Sequence, residues 1–142
     1  MKREVTLSIH GHQSYQGQPP EEIELVTEGF LQQTAGGWQV SYEESDLTGM
    51  SGVTTVFRAE PGKITLLRSG KLHSQMVFQE GVSHDSLYQL EFGALMVTVC
   101  AKTVDYELTE DGGTIDLVYS IEIEKSAVGI IAYHLEIQTK HE

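Results

Sequence analysis

Apolar and polar residues alternate along almost the whole chain. Val5, Leu7 and Ile9 are interleaved with Glu4, Thr6 and Ser8, and Ile23, Leu25 and Thr27 with Glu22, Glu24 and Glu28. Trp38, Val40 and Tyr42 repeat the pattern against Gln39, Ser41 and Glu43. It continues through Val53, Thr55 and Phe57, through Ile64 and Leu66, and through Leu72, Met76 and Phe78. Ile115, Leu117, Tyr119, Ile121 and Ile123 form one late run, and Ile131, Tyr133, Leu135 and Ile137 another. A period of two residues is that of a half-buried strand, and the Val, Ile, Thr and Tyr content suits a pleated surface. The pattern predicts about ten strands, over 3–10, 21–32, 37–44, 52–60, 63–69, 72–79, 86–92, 94–108, 114–124 and 129–139.

The separators are turn formers. Ala35-Gly36-Gly37, Glu60-Pro61-Gly62-Lys63, Ser69-Gly70, Glu80-Gly81 and Asp111-Gly112-Gly113 supply positive φ or a fixed φ. The polar stretch His12 to Pro20 reads as the one long loop. Apolar parity also changes at Gly93: Tyr88, Leu90 and Phe92 are even-numbered, Leu95, Val97 and Val99 odd-numbered. One strand cannot change faces, so Gly93 marks a bulge or, as we expect, a tight turn.

Short connections make successive strands antiparallel neighbours. Ten such strands expose two edges unless the sheet closes. The expected fold is therefore all-β, an antiparallel up-and-down closed barrel of about eight to ten strands in one domain over 1–142. A two-sheet sandwich is the alternative.

Composition narrows the function classes. The 142 residues include 9 Lys+Arg against 21 Asp+Glu, a formal net charge of −12. Nucleic acid and anionic membrane surfaces require clustered positive charge, so neither is expected as a partner. A transmembrane barrel would carry an apolar lipid-facing band, whereas these strands carry Glu and Gln. No apolar segment follows Lys2-Arg3, and Cys100 is the single cysteine, so a cytoplasmic setting without disulfides is expected. Cys100 sits in the apolar stretch Leu95 to Ala101 and reads as a buried, inert thiol.

The order of several motifs adds to this reading. Gly29-Phe30, Ser41-Tyr42-Glu43-Glu44-Ser45-Asp46, Thr54-Thr55, Leu66-Leu67-Arg68-Ser69-Gly70 and Phe78-Gln79-Glu80-Gly81 occur in sequence. Tyr88, Phe92-Gly93, Thr103 and Leu117-Val118-Tyr119 follow. Together they resemble the YwiB-type family of bacterial proteins, a domain of unknown function, across essentially the whole chain. The resemblance implies a calycin-like, lipocalin-type β-barrel in the bacterial cytoplasm. It implies no activity, substrate or catalytic residue.

Candidate chemistry is sparse. Glu43 and Glu44 are strand neighbours and point to opposite faces, so they cannot flank one bond as a glycosidase pair does. Glu44 shares the face of Trp38, Val40 and Tyr42. Arg68 shares that of Ile64 and Leu66, where a buried guanidinium needs a carboxylate or bound anion. Either Arg68 and Glu44 meet inside the barrel, or Arg68 sits at the strand end with its head in water. Tyr42, Tyr88 and Tyr119 fall on apolar faces and suit a core or a ligand wall. Arg58, Lys63, Arg68 and Lys71 fall in one hairpin. His10-Gly11-His12 puts two imidazoles on one face, as in some zinc sites, but no third ligand is evident and no metal is expected. His84-Asp85-Ser86 holds triad residue types on what reads as one short turn, too close together to act as a triad. No phosphate-binding glycine loop, nucleophile elbow or Cys-x-x-Cys is present, and no cofactor is expected.

The leading reading is a non-enzymatic barrel binding a small amphipathic or anionic molecule. Trp38, Tyr42, Glu44, Phe57, Arg68, Met76, Tyr88 and Tyr119 are its candidate lining. The alternative is a filled barrel acting as a protein-interaction or structural module, with a homodimer as its candidate assembly. An enzyme using Glu44 and Arg68 ranks last.

Overall fold

A computed structural model describes residues 2–15, 17–45, 51–90 and 93–140. Asp46, Phe92 and His141, and the side chain of Tyr88, lie outside the described residues. The strands are β1 (Lys2–Tyr15), β2 (Glu21–Gln33), β3 (Trp38–Glu43), β4 (Val53–Glu60), β5 (Lys63–Gly70), β6 (Ser74–Phe78), β7 (Ser83–Leu90), β8 (Gly93–Thr109), β9 (Gly112–Ile123) and β10 (Ser126–Thr139). They form one antiparallel sheet in the order β6-β5-β4-β3-β2-β1-β10-β9-β8-β7. The sheet curls until β6 and β7 meet, in a nearly closed barrel. Isolated bridges His73↔Gln89, Gln79↔Val82 and Glu80↔Ala101 make the seam.

Turn chemistry sets the registers. Pro61-Gly62 joins Glu60 to its partner Lys63, with Gly62 at φ 75°. The β7–β8 reversal brings Leu90 opposite Gly93, as the parity change requires. The β9–β10 turn falls earlier than expected, at Glu124 (φ 51°) and Lys125 (φ 68°). Two non-glycine residues hold left-handed conformations there. Glu124 offsets their cost by accepting a 2.8 Å bond from the Met96 amide and donating its own amide to the Met96 carbonyl.

Two expectations are corrected. β1 does not end at residue 10 but runs to Tyr15, because β10 continues beside it from His12↔Ala132 to Tyr15↔Gly129. A neighbouring backbone ladder outweighs the polar character of those side chains. β8, read as one uniform strand, contains a bulge: Ala101 faces Tyr119 and Thr103 faces Val118, leaving Lys102 extra. The bulge switches the inward residues from Val97, Val99 and Ala101 to Val104, Tyr106 and Leu108. It also anchors the seam. Gly81 donates to the Ala101 carbonyl, and the Glu80 carboxylate accepts the Val104 amide at 3.0 Å.

The inward faces fill most of the barrel. Val5, Leu7, Leu31, Val40, Phe57, Ile64, Leu66, Phe78, Val99, Ile115, Leu117 and Leu135 are all buried. Strand parity places Cys100 on the other face, so its thiol is half-buried rather than enclosed.

Candidate functional site at the barrel mouth

The ladders place a polar row on the inner wall. Tyr42 faces Thr55, Thr55 faces Arg68, and Arg68 faces Ser74. Directly opposed residues share a sheet face, so four hydrogen-bonding side chains stand side by side where the rows below are apolar. Glu44 follows Tyr42 on the same face, and its amide bonds to the Val53 carbonyl. Thr55 donates to Glu44 at 2.5 Å, with Thr55 fully buried and Glu44 7% exposed. Burial pushes the Tyr42 hydroxyl well above its ordinary pKa; the Glu44 charge and hydrogen bond add to this, and Arg68 opposes it. The Tyr42 phenol, the Glu44 carboxylate and the Arg68 guanidinium are therefore electrostatic neighbours inside one barrel. Arg68 and Glu44 thus stand on the same inner wall, Glu44 buried and Arg68 half-buried.

Above the row the barrel opens into a cavity of about 300 Å³. Among the described residues Arg68 is its one cationic lining residue. Met76, Tyr119, Tyr133, Ile131 and Tyr15 are among the rest. Tyr119 is fixed by Phe78 and Tyr133, with ring centroids 4.5 and 6.5 Å away. Tyr133 gains its place from Gly11, where a Cβ would approach the ring to 3.3 Å. The Ser74 and Ser86 hydroxyls are buried without a hydrogen-bond partner among the described residues. Ser74 lies opposite Arg68, and Ser86 opposite the cavity residue Val97.

Of the eight candidate lining residues, Arg68, Met76 and Tyr119 line this cavity. Tyr42 and Glu44 form the polar row with Arg68. Phe57 is not at the mouth: it is 2% exposed within the core. Trp38 is at the other end of the barrel, beside Arg3, Leu31, Gln33 and Glu110 around a separate depression of about 250 Å³. Both share the inward face with Tyr42, but parity carries no information about depth along the barrel. Tyr88 pairs with Leu95 through its backbone, and its side chain is not among those described. Gln13, Tyr15, Ile131 and Tyr133 were not singled out from the sequence. The alternation Ile9-Gly11-Gln13-Tyr15 is the signal that could have found the first two.

The other motifs resolve simply. Glu43 is exposed and accepts from Thr54 at 2.9 Å, on the opposite face from Glu44. The basic hairpin is divided, because Arg68 points inward while Lys63 sits 3.9 Å from Glu60. His84, Asp85 and Ser86 lie in a strand rather than a turn. His84 contacts the Gln79 amide oxygen at 2.8 Å, and Asp85 accepts from Thr98 at 2.7 Å, so no triad forms. Among the described residues no helix is long and apolar enough to cross a membrane.

Comparison with known proteins agrees with this architecture. The model of the "Domain of unknown function (DUF1934)" family matches residues 7–137. The chain belongs to this family. It is 28% identical over 125 residues to the "uncharacterized beta-barrel protein YwiB" of Bacillus subtilis (strain 168), covering 87% of this chain and 86% of that one. The crystal structure of ywiB protein from Bacillus subtilis superposes with a TM-score of 0.82 at 23% identity, over 97% of this chain and 94% of the other. That likeness establishes the barrel, and the family name carries no activity.

Proposed function

We propose that this DUF1934 protein is a non-enzymatic, lipocalin-like binding protein of the cytoplasm. Its ligand is a small amphipathic molecule with an anionic head. The observation that carries the reading is Arg68, among the described residues the one guanidinium in the wall of a cavity that is otherwise aromatic and aliphatic except for Gln13. Pockets of this kind hold the apolar body by burial and fix orientation with a few polar groups. About 300 Å³ admits a small ligand and not a long lipid. Arg68 would receive the head, and the Ser74 and Ser86 hydroxyls would complete its hydrogen bonds. Tyr119, Tyr133 and Met76 would pack the body.

Glu44 offers little as a catalyst. Its oxygen is taken by Thr55, and the phenol beside it is held un-ionised. A buried carboxylate that orients a cation is a binding device.

The test is titration with 8-anilinonaphthalene-1-sulfonate, an aromatic body with an anionic head. The reading expects saturable fluorescence, weakened about tenfold or more in Arg68→Met. Fluorescence that is absent, or equal in the variant, contradicts it.

A further inference from the structure

We propose that the outer wall of the barrel carries a site for a divalent transition metal, with His10, His12 and His134 as its protein ligands. His10 and His12 lie on the outer face of β1. The β1–β10 register sets His134 directly opposite His10 and the small Ala132 directly opposite His12. Three imidazoles thus surround Ala132, and with no long side chain at that position the wall is hollowed into a depression of about 300 Å³. All three histidines line it.

The second observation concerns the ring nitrogens. Each Nδ1 faces a carboxylate: His10 faces Glu24 at 3.6 Å, His12 faces Glu22 at 3.7 Å and His134 faces Asp116 at 2.6 Å. In the His134–Asp116 pair the carboxylate fixes the tautomer with Nε2 as the outward nitrogen; that Nε2 lies 3.5 Å from the Glu136 carboxylate, a contact the metal would replace. One such pair is formed, and Glu24 and Glu22 stand just beyond hydrogen-bond distance of the other two rings, where they would support them once turned.

The rings do not yet converge, and no group of three donors among the described residues meets at one point. For the His10–His134 pair the required movement is small. The His10 and His134 centroids are 6.3 Å apart, against about 5 Å for two imidazoles on one tetrahedral ion. All three side chains are 41–49% exposed, and the carboxylates beside them are themselves 44–78% exposed, so the movement rearranges surface side chains rather than core. Imidazole donors with water in the open position suit Zn²⁺, Co²⁺ or Ni²⁺, not Mg²⁺ or Ca²⁺.

The test is calorimetric titration of the full chain with Zn²⁺ at neutral pH in excess Mg²⁺. One ion per chain with micromolar affinity is expected. His12→Ala and His134→Ala should each weaken it about tenfold or more, Asp116→Asn less, and His73→Ala not at all. Co²⁺ loading should give the visible absorption of a four-coordinate ion. Zn²⁺ binding that Mg²⁺ abolishes, or that survives His134→Ala unchanged, overturns the site and assigns the affinity to diffuse acidic charge. The exposed positions of the substituted residues keep the fold intact, which circular dichroism checks.

Discussion

Inside the barrel the Thr55 hydroxyl donates a 2.5 Å hydrogen bond to a carboxylate oxygen of Glu44. The bond joins β4 to the segment just after β3, and it satisfies one oxygen of a carboxylate held away from water. Thr55→Val keeps the shape and removes the donor. The buried acceptor then lacks that bond, at a cost of about 1–3 kcal/mol. For a chain of this size each kcal/mol lowers Tm by roughly 2–5 °C. Urea unfolding of Thr55→Val beside Thr54→Val, whose partner Glu43 is exposed, measures the difference. Equal losses in the two variants would show that the buried bond has no special weight.

Tyr42 gives the fold an alkaline limit. Its hydroxyl loses its proton at much higher pH in the folded chain than at the unfolded value of 10.0, chiefly through burial and then through Glu44. A raised folded pKa stabilises fully below the unfolded pKa, and that stability is lost as pH climbs above it. Stability should therefore fall steadily above about pH 10, where only the unfolded phenol ionises. Tyr42→Phe has no proton to lose and should flatten this fall. Thermal melts from pH 9 to 11 check it, and an unchanged slope in Tyr42→Phe would contradict it.

His134 titrates in the opposite surroundings, on the outer wall. The hydrogen bond that His134 donates to the Asp116 carboxylate holds its pKa above the ordinary 6.5, with Glu136 adding to the effect. The protonated pair stabilises the fold below that ordinary value, and the contribution disappears as pH rises through the folded pKa. With both side chains over two-fifths exposed, solvent screens the pair strongly. The expected observation is an NMR titration midpoint for His134 above 6.5, moving down in Asp116→Asn. A midpoint that stays in place in the variant would remove Asp116 as the cause.

Gly29 is required by a close approach between strands. A Cβ there would lie 2.2 Å from the Ser41 carbonyl oxygen and 3.1 Å from the Tyr42 Cβ. Gly29→Ala must push β2 and β3 apart beside Tyr42, an overpacking cost of about 1–3 kcal/mol or more. Gly62→Ala, at a turn open to solvent, should cost only the roughly 1 kcal/mol of its positive φ. Chemical denaturation of the two variants decides whether Gly29 outranks Gly62.

Much of this architecture was legible in the residue pattern, because a period of two is the geometry of a strand. Parity placed Tyr42, Glu44, Thr55, Arg68, Met76 and Tyr119 on inward faces. It could not say how far along the barrel each one sits, so Trp38 and Phe57 joined the same candidate lining although they lie away from the cavity beside Arg68. The third histidine was hidden for a related reason. His10 and His12 are neighbours in sequence, but His134 joins them only through the β1–β10 register. The Lys102 bulge was readable, since the apolar parity changes between Ala101 and Val104. The Glu124-Lys125 turn was not, because it lacks the Gly or Asn that usually marks one.

The central claim is that the cavity beside Arg68 holds a small molecule. The most direct measurement is a native mass spectrum of freshly purified protein beside its denatured mass, for wild type, Arg68→Met and Ile123→Trp. Ile123 lines the mouth, and an indole there would occupy the cavity without touching the Tyr42–Glu44 row. The wild type is expected to carry an excess mass that vanishes on denaturation and is lost or reduced in both variants while they remain folded. An excess mass that both folded variants retain, or a wild type of bare mass that also fails to retain added 8-anilinonaphthalene-1-sulfonate, would contradict it.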